Sequence, residues 1–207
     1  MKDYFASLNI ETPSELVKDI KEQAIRDNVP IITKEGLQYL MQLVRLTNSK
    51  NILEIGTAVG YTAINIALIN DKINVHTIER DEQMFKRAQE NILTFNLNKR
   101  IKVIFGDALA LDESHFAKYD LIFIDAAKAQ YQKLFEKYEP FLQDKGIIVC
   151  DNLLFHGLVE DNSEIESRNL RALVRKIDQF NHWLANNEKY RTVFLRIGDG
   201  MAVSERK

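Results

Sequence analysis

Three oxygen-bearing residues close two apolar runs of this chain. Asp125 follows Leu121-Ile122-Phe123-Ile124, and Asp151-Asn152 follow Ile147-Ile148-Val149-Cys150. Each run reads as a buried strand, and neighbouring strands lie about 4.8 Å apart. The three side chains can therefore converge on one ion. Two carboxylates and an amide, with no Cys or His, form the donor set of a hard divalent cation such as Mg²⁺. Water and substrate would fill its other positions. The plainer alternative is a pair of helix-capping Asp residues and a turn Asn.

A second cluster surrounds a strand that stops at glycines. Asn51-Ile52-Leu53-Glu54-Ile55 runs into Gly56-Thr57-Ala58-Val59-Gly60, after which a helix begins. Such a turn can admit a ligand to unpaired backbone N–H groups. It can equally be a structural turn. The middle glycine that admits a dinucleotide pyrophosphate is absent, since position 58 is Ala, so a nucleoside without a pyrophosphate fits better. Glu79 ends the next strand, where a carboxylate can accept from a ribose diol; the alternative is one more exposed charge in Glu79-Arg80-Asp81-Glu82. Asp107, after Gly106, is placed to meet an adenine amine or to cap its own turn.

These residues require an open sheet. The spacing predicts a helix from Pro13-Ser14-Glu15, with Leu16, Val17, Ile20, Ala24 and Ile25 on its apolar face, ending at Asn28-Val29-Pro30. Thr33 caps a second helix, with Leu37, Leu40, Met41, Val44 and Leu46 inward. Strands follow at 51–55, 74–78, 101–105, 121–124 and 147–150, separated by helices, with Asp81 as a cap. A long helical stretch covers 164–186. Two last strands, 192–196 and 201–204, flank the turn Gly198-Asp199-Gly200. The expectation is an α/β fold of five β/α units with a doubly wound, mostly parallel, seven-stranded sheet and a C-terminal antiparallel hairpin. Residues 1–207 form a single domain, with 1–48 as a helical preface. Ligands bind at the carboxyl ends of such strands, and every one of these ends carries an acid.

On the long helix, Arg168, Arg171 and Arg175 share one face. A cationic stripe there could hold a phosphate backbone. It could also be a solvated face balanced by Glu164 and Glu166.

Composition sets limits. The chain has 207 residues, with 45% hydrophobic and 28% charged residues and net charge -2, so it is no polycation. Its one cysteine, Cys150, excludes an internal disulfide and fits a reducing, cytoplasmic setting. No run is long enough for a membrane span, and the first residues lack a signal-peptide core. His76, His115, His156 and His182 show no metal-ligand spacing. Of the four, His156 follows the metal strand most closely.

Glu54-x-Gly56-x-x-x-Gly60, Glu79 and Gly106-Asp107-Ala108 resemble three motifs of the class I S-adenosylmethionine-dependent methyltransferases, with their Rossmann-like fold. Phe123-Ile124-Asp125-Ala126-Ala127-Lys128-x-x-Tyr131 and Cys150-Asp151-Asn152 resemble the metal-dependent O-methyltransferases of the catechol and caffeoyl-CoA type over nearly the whole chain. The resemblance implies cofactor contacts from Ile32, Glu54, Gly56, Gly60, Thr62, Glu79, Asp107, Ala108 and Asp125. It implies a metal held by Asp125, Asp151 and Asn152, with Lys128 assisting deprotonation beside Asp125. It also implies a homodimer. Ala126-Ala127 replace the bulkier residues of the animal catechol enzyme.

Three stretches are similar to the bacterial branch that methylates 5-hydroxyuridine at the tRNA wobble position. They are Ile124 to Tyr131, Asp151-Asn152-x-Leu154-Phe155-x-Gly157-Leu158-Val159, and Asn181-His182-Trp183-Leu184. That base carries a hydroxyl next to a carbonyl, and an anticodon base is reachable without opening a duplex. Phe155 or Trp183 could stack on bases. The tRNA anticodon region is the leading partner. A small catechol or phenol is the alternative acceptor, and a cofactor-binding regulator without catalysis is the non-enzyme alternative.

Overall fold

The computed structural model describes residues 4, 8, 9 and 15–207, apart from 113, 115 and 164. Pro13, Ser14, His115 and Glu164, named above, lie outside the described residues. Helix α1 spans Glu15–Arg26 and α2 Lys34–Leu46, where the Thr33 side chain accepts from Gly36 N as the cap. The alternating core is β1 (Asn51–Ile55), α3 (Tyr61–Ala67), β2 (Asn74–Glu79), α4 (Glu82–Thr94), β3 (Ile101–Phe105) and β4 (Tyr119–Ile124). A short 3-10 turn at Lys128–Gln130 leads into α5 (Tyr131–Tyr138). Then come β5 (Leu142–Cys150), α6 (Arg168–Ala185), β6 (Tyr190–Leu195) and β7 (Met201–Arg206).

The seven strands lie in the order β3-β2-β1-β4-β5-β7-β6. The first five are parallel, and β7 runs antiparallel to both β5 and β6. Both faces are covered. Ile52, Leu121, Phe123 and Val149 pack beneath α1–α4, whereas Leu53, Ile122, Ile124 and Ile148 pack against α5 and α6. Burial on both faces is why these strands read as continuous apolar runs.

Three expectations change. Among the described residues no α-helix joins β3 to β4, so the third crossover is irregular and the five β/α units become four. Strand β5 starts at Leu142, well before Ile147, because its pairing slips between Tyr119 and Leu121 and draws Lys145-Gly146 into the strand. Gly146 suits that slip: a Cβ there would lie 2.9 Å from the Asp120 carbonyl oxygen. Finally, Leu16, Ile25 and Leu46 are exposed rather than inward.

Register positions the site. Ile55 pairs with Ile78 and with Ile124, and Ile124 pairs with Cys150. Each next residue therefore emerges at the same level. Backbone bonds fix this: Gly56 N donates to the Ile78 carbonyl, Asp125 N to that of Ile55, and Asp151 N to that of Ile124. Gly56, Asp125 and Asp151 thus stand in a row at the carboxyl edge of three adjacent strands.

Candidate active site

A cleft of about 540 Å³ opens along this edge. It is lined by Ile32, Gly56, Thr62, Glu79, Asp107 and Ala108, and by Asp125, Ala126, Ala127, Lys128 and Asn152. Most of the residues predicted as cofactor contacts therefore meet in one place.

Gly56 has φ 103°, and a Cβ there would overlap the Asp125 carbonyl oxygen. Its glycine is needed for the close approach of β1 to the end of β4. Gly60 caps α3 in a left-handed conformation, and a Cβ there would sit 3.4 Å from Ala88. It serves helix packing and does not line the cleft.

Glu54 also departs from expectation. It is 1% exposed and lies beneath the cleft rather than on its wall. Thr77 Oγ1 donates to Glu54 Oε2 at 2.5 Å, and Thr77 in turn meets Thr57 Oγ1. Burial chiefly pushes the Glu54 carboxyl up to about 8; the charges of Asp125 and Glu79 add to this, and the Thr77 and Thr62 hydroxyls oppose it. Glu54 therefore braces the glycine turn through hydroxyls.

Glu79 stands on the wall and also holds the turn. Its Oε2 accepts from Ala58 N at 2.8 Å, and its Oε1 accepts from Arg80 N and Asp81 N. Asp107 caps its own turn, accepting from Leu109 N at 2.8 Å, and faces the cleft as well. The Tyr138 hydroxyl holds the Ala108 carbonyl in place.

The acidic end is tightly built. Asn152 has φ 62°, a left-handed conformation that Asn tolerates, and its side-chain amide donates to Asp125 Oδ1 at 2.8 Å. Asp151 is 2% exposed, and its Oδ1 accepts from Asn152 N at 2.7 Å. Burial pushes Asp151 up to about 7, reinforced by Asp125, while the Asn152 N–H and Lys128 oppose. Burial also raises Asp125, against the pull of Lys128 and the Asn152 amide. One lysine thus faces two crowded carboxylates, and the site is short of positive charge.

No group of three or more His, Cys, Asp and Glu placed to hold a metal occurs among the described residues. The donor set here is instead two carboxylates and an amide. It suits a cation whose other positions are filled by water or substrate.

Lys128 sits in the 3-10 turn with Nζ 5.7 Å from the centroid of the Phe155 ring. The buried Tyr131 hydroxyl donates to the Asp151 carbonyl at 2.9 Å. In the sequence Tyr131 is legible only as part of a motif, since nothing local shows which carbonyl it reaches.

The arginines stand apart. Arg168, Arg171 and Arg175 are exposed on α6 and line no part of the cleft, although α6 packs against the Lys128–Gln130 turn. Arg171 is tethered, its guanidinium donating to the Ile165 carbonyl. Trp183 is half-buried and packs edge-on against Phe135 at the margin of the core, away from the cleft. Cys150 is fully buried.

A family model described as O-methyltransferase matches residues 7–207. The chain belongs to the O-methyltransferase family. It is similar to a Staphylococcus aureus protein provisionally named a caffeoyl-CoA O-methyltransferase. That structure is 42% identical with a TM-score of 0.93, over 99% of this chain and 98% of the other. A catechol O-methyltransferase from Niastella koreensis is 32% identical over 177 residues, covering 81% of this chain and 78% of that protein. A Bacillus cereus O-methyltransferase solved in complex with SAH is 27% identical with a TM-score of 0.84, over 99% and 96% of the two chains. This O-methyltransferase is S-adenosylmethionine-dependent and of the caffeoyl-CoA and catechol type. Family membership displaces the reading as a regulator without catalysis. No helix among the described residues is long and apolar enough to cross a membrane.

Proposed function

We propose that this O-methyltransferase methylates one of two neighbouring oxygens on its acceptor, with a divalent cation such as Mg²⁺ held by Asp125, Asp151 and Asn152. The meeting of Asp125 and Asn152 beside Lys128 on the cleft wall, with Asp151 buried behind them, carries the reading. Their donor chemistry fits a hard cation. Two raised carboxyls beside a single lysine lack a counter-charge, and the amide supplies a neutral oxygen once it turns that atom inward. When bound, the cation lowers the pKa of an acceptor hydroxyl.

The chain's own residues do the rest. Ile32, Gly56, Thr62, Glu79, Asp107 and Ala108 would hold S-adenosylmethionine, the methyl donor, with Glu79 directed to the ribose and Asp107 to the adenine. Glu54 and Gly60 act from behind that wall. Asp125 stands beside Gly56 on the cleft wall. Lys128 holds positive charge beside the acceptor oxygen or removes its proton. Fixing donor and acceptor in one cleft supplies orientation.

The favoured acceptor is 5-hydroxyuridine in the tRNA anticodon, giving 5-methoxyuridine. Two observations favour a large, anionic acceptor. Ala126 and Ala127 present only small side chains to the cleft, and Arg168 and Arg175 are exposed with no ion-pair partner among the described residues. A small catechol is the second reading, favoured by the names of the relatives. Nucleoside analysis of tRNA from a deletion strain separates the two. Loss of 5-methoxyuridine supports the tRNA reading. Unchanged 5-methoxyuridine in a strain with no second source opposes it. The homodimer belongs to the same reading, with Val193 (54% exposed) and Phe194 (41%) on edge strand β6 as available apolar surface.

A further inference from the structure

We propose that Asn181 and Asp199 are positioning residues for the acceptor side of the site. They grip the turn 153–157 that follows Asp151-Asn152, so the inference rests on the function proposed above. Asp199 lies in the β6–β7 hairpin with its side chain 13% exposed. Its Oδ1 accepts from His156 N at 2.6 Å. The hairpin backbone adds two bonds, Leu154 N donating to the Asp199 carbonyl and Leu153 N to the Gly200 carbonyl, each at 2.9 Å. From α6, the Asn181 side-chain amide donates to the Leu153 carbonyl at 3.0 Å. Farther along, Arg196 pairs with Glu160 through both of its terminal nitrogens.

This grip opposes a strained conformation. Phe155, His156 and Gly157 are consecutive left-handed residues, with φ 47°, 57° and 82°. For the two non-glycine residues such geometry is unfavourable. The turn needs outside anchors, and the hairpin supplies them at close range. Gly200 permits the approach, because a Cβ there would lie 2.9 Å from Leu154 N. The strained turn is what brings the Phe155 ring beside Lys128 Nζ. The anchors are poor stabilising devices in themselves. Asn181 Oδ1 is buried with no hydrogen-bond partner among the described residues, an arrangement that lowers stability, and Asp199 Oδ2 has only a long approach of 3.6 Å to His156 Nδ1. Their value lies in placement: they set where the segment after the metal-binding pair faces the acceptor.

The test uses Asn181→Ala, Asp199→Ala and the conservative Asp199→Asn, whose amide oxygen can still accept from His156 N. Methyl transfer is measured to tRNA carrying 5-hydroxyuridine and to a simple catechol, with SAH affinity by calorimetry. Backbone hydrogen exchange over 153–158 is followed in the SAH-bound protein. The expected result is a loss of acceptor kcat/KM of about tenfold or more in the two Ala variants, the usual scale for groups that orient a metal site. SAH affinity stays unchanged, exchange over 153–158 is faster, and Asp199→Asn recovers most of the activity. Unchanged acceptor kinetics in folded Ala variants would overturn the proposal, as would equal losses of SAH and acceptor binding. If the wild-type protein methylates neither acceptor, the functional reading fails by itself. Exchange over 153–158 then decides the clamp: faster exchange in the Ala variants supports it, and unchanged exchange overturns it.

Discussion

The Asn152 side-chain amide spans 2.8 Å to Asp125 Oδ1 and so joins the ends of β4 and β5. Two residues far apart in sequence thus share one oxygen-rich corner, and Asp151 is buried directly behind it. Removing either carboxylate dismantles the corner. Asp125→Ala and Asp151→Ala are each expected to lower turnover by at least about 100-fold, beyond the loss typical of supporting residues. EDTA should abolish wild-type activity and Mg²⁺ should restore it. Full activity after chelation would remove the metal from the account.

Lys128 is the cation closest to that corner in sequence, and its charge already moderates both carboxylates. Lys128→Ala should reduce kcat by about 10²–10⁴, the range for a general base, and leave SAH affinity unchanged. Lys128→Arg separates the two roles. Arg keeps the charge but gives up no proton, so a base function leaves it inactive. A drop of less than tenfold in the Ala variant would show that Lys128 is a bystander.

Glu54 makes stability depend on pH. Its folded carboxyl titrates at about 8, against about 4.3 in an unfolded chain. Between those values the folded state keeps a proton that the unfolded state has released. Stability therefore falls as pH rises through the window, and the loss is complete above the folded value. Asp151, raised to about 7, adds to the same trend in metal-free protein. Glu54→Gln removes the larger share. Its melting temperature at pH 9 should exceed that of the wild type by at least about 2–4 °C, the worth of 1 kcal/mol in a domain of this size. The gap should close towards pH 5. Parallel melting curves across this range would mean that Glu54 is ionised when folded.

Arg168 and Arg175 are the informative charges on α6. Arg171 is not, because its guanidinium holds the Ile165 carbonyl and its loss disturbs the preceding loop. Arg168→Glu and Arg175→Glu should weaken tRNA binding and flatten its salt dependence by about 0.7–0.9 in logarithmic slope per contact removed. Turnover of a small catechol should not change. An unaltered slope, read from filter binding at several salt concentrations, would leave the stripe as a solvated face.

Local rules made much of this molecule legible. Thr33 and Asp81 cap helices as expected, and the acids at the strand ends follow from apolar runs that stop abruptly. Tertiary relationships were not legible. The sequence around Glu54 shows a carboxylate near a glycine turn, but only the sheet reveals that it points beneath the cleft, into hydroxyls. Gly198-Asp199-Gly200 reads as a hairpin turn, yet the His156 amide it grips lies beyond the whole of α6. Lys145-Gly146 falls outside the strand expected at 147–150, because slipped pairing with β4 leaves no local mark. Among the described residues between Gly106 and Lys118, Leu109, Leu111 and Phe116 pack against the core without forming an α-helix, and the regular alternation of the other units concealed this.

Asp125, Asp151, Asn152 and Lys128 are proposed to activate a vicinal-oxygen acceptor for methyl transfer from S-adenosylmethionine, with tRNA 5-hydroxyuridine the favoured one. The most direct measurement incubates purified protein with S-adenosylmethionine, Mg²⁺ and tRNA carrying 5-hydroxyuridine, followed by mass spectrometry of the nucleosides. The account predicts 5-methoxyuridine that appears with time, disappears with EDTA and is absent for Asp151→Ala. Unmodified 5-hydroxyuridine from a preparation that turns over a catechol would contradict the tRNA acceptor. Undiminished 5-methoxyuridine from Asp151→Ala would contradict the site itself.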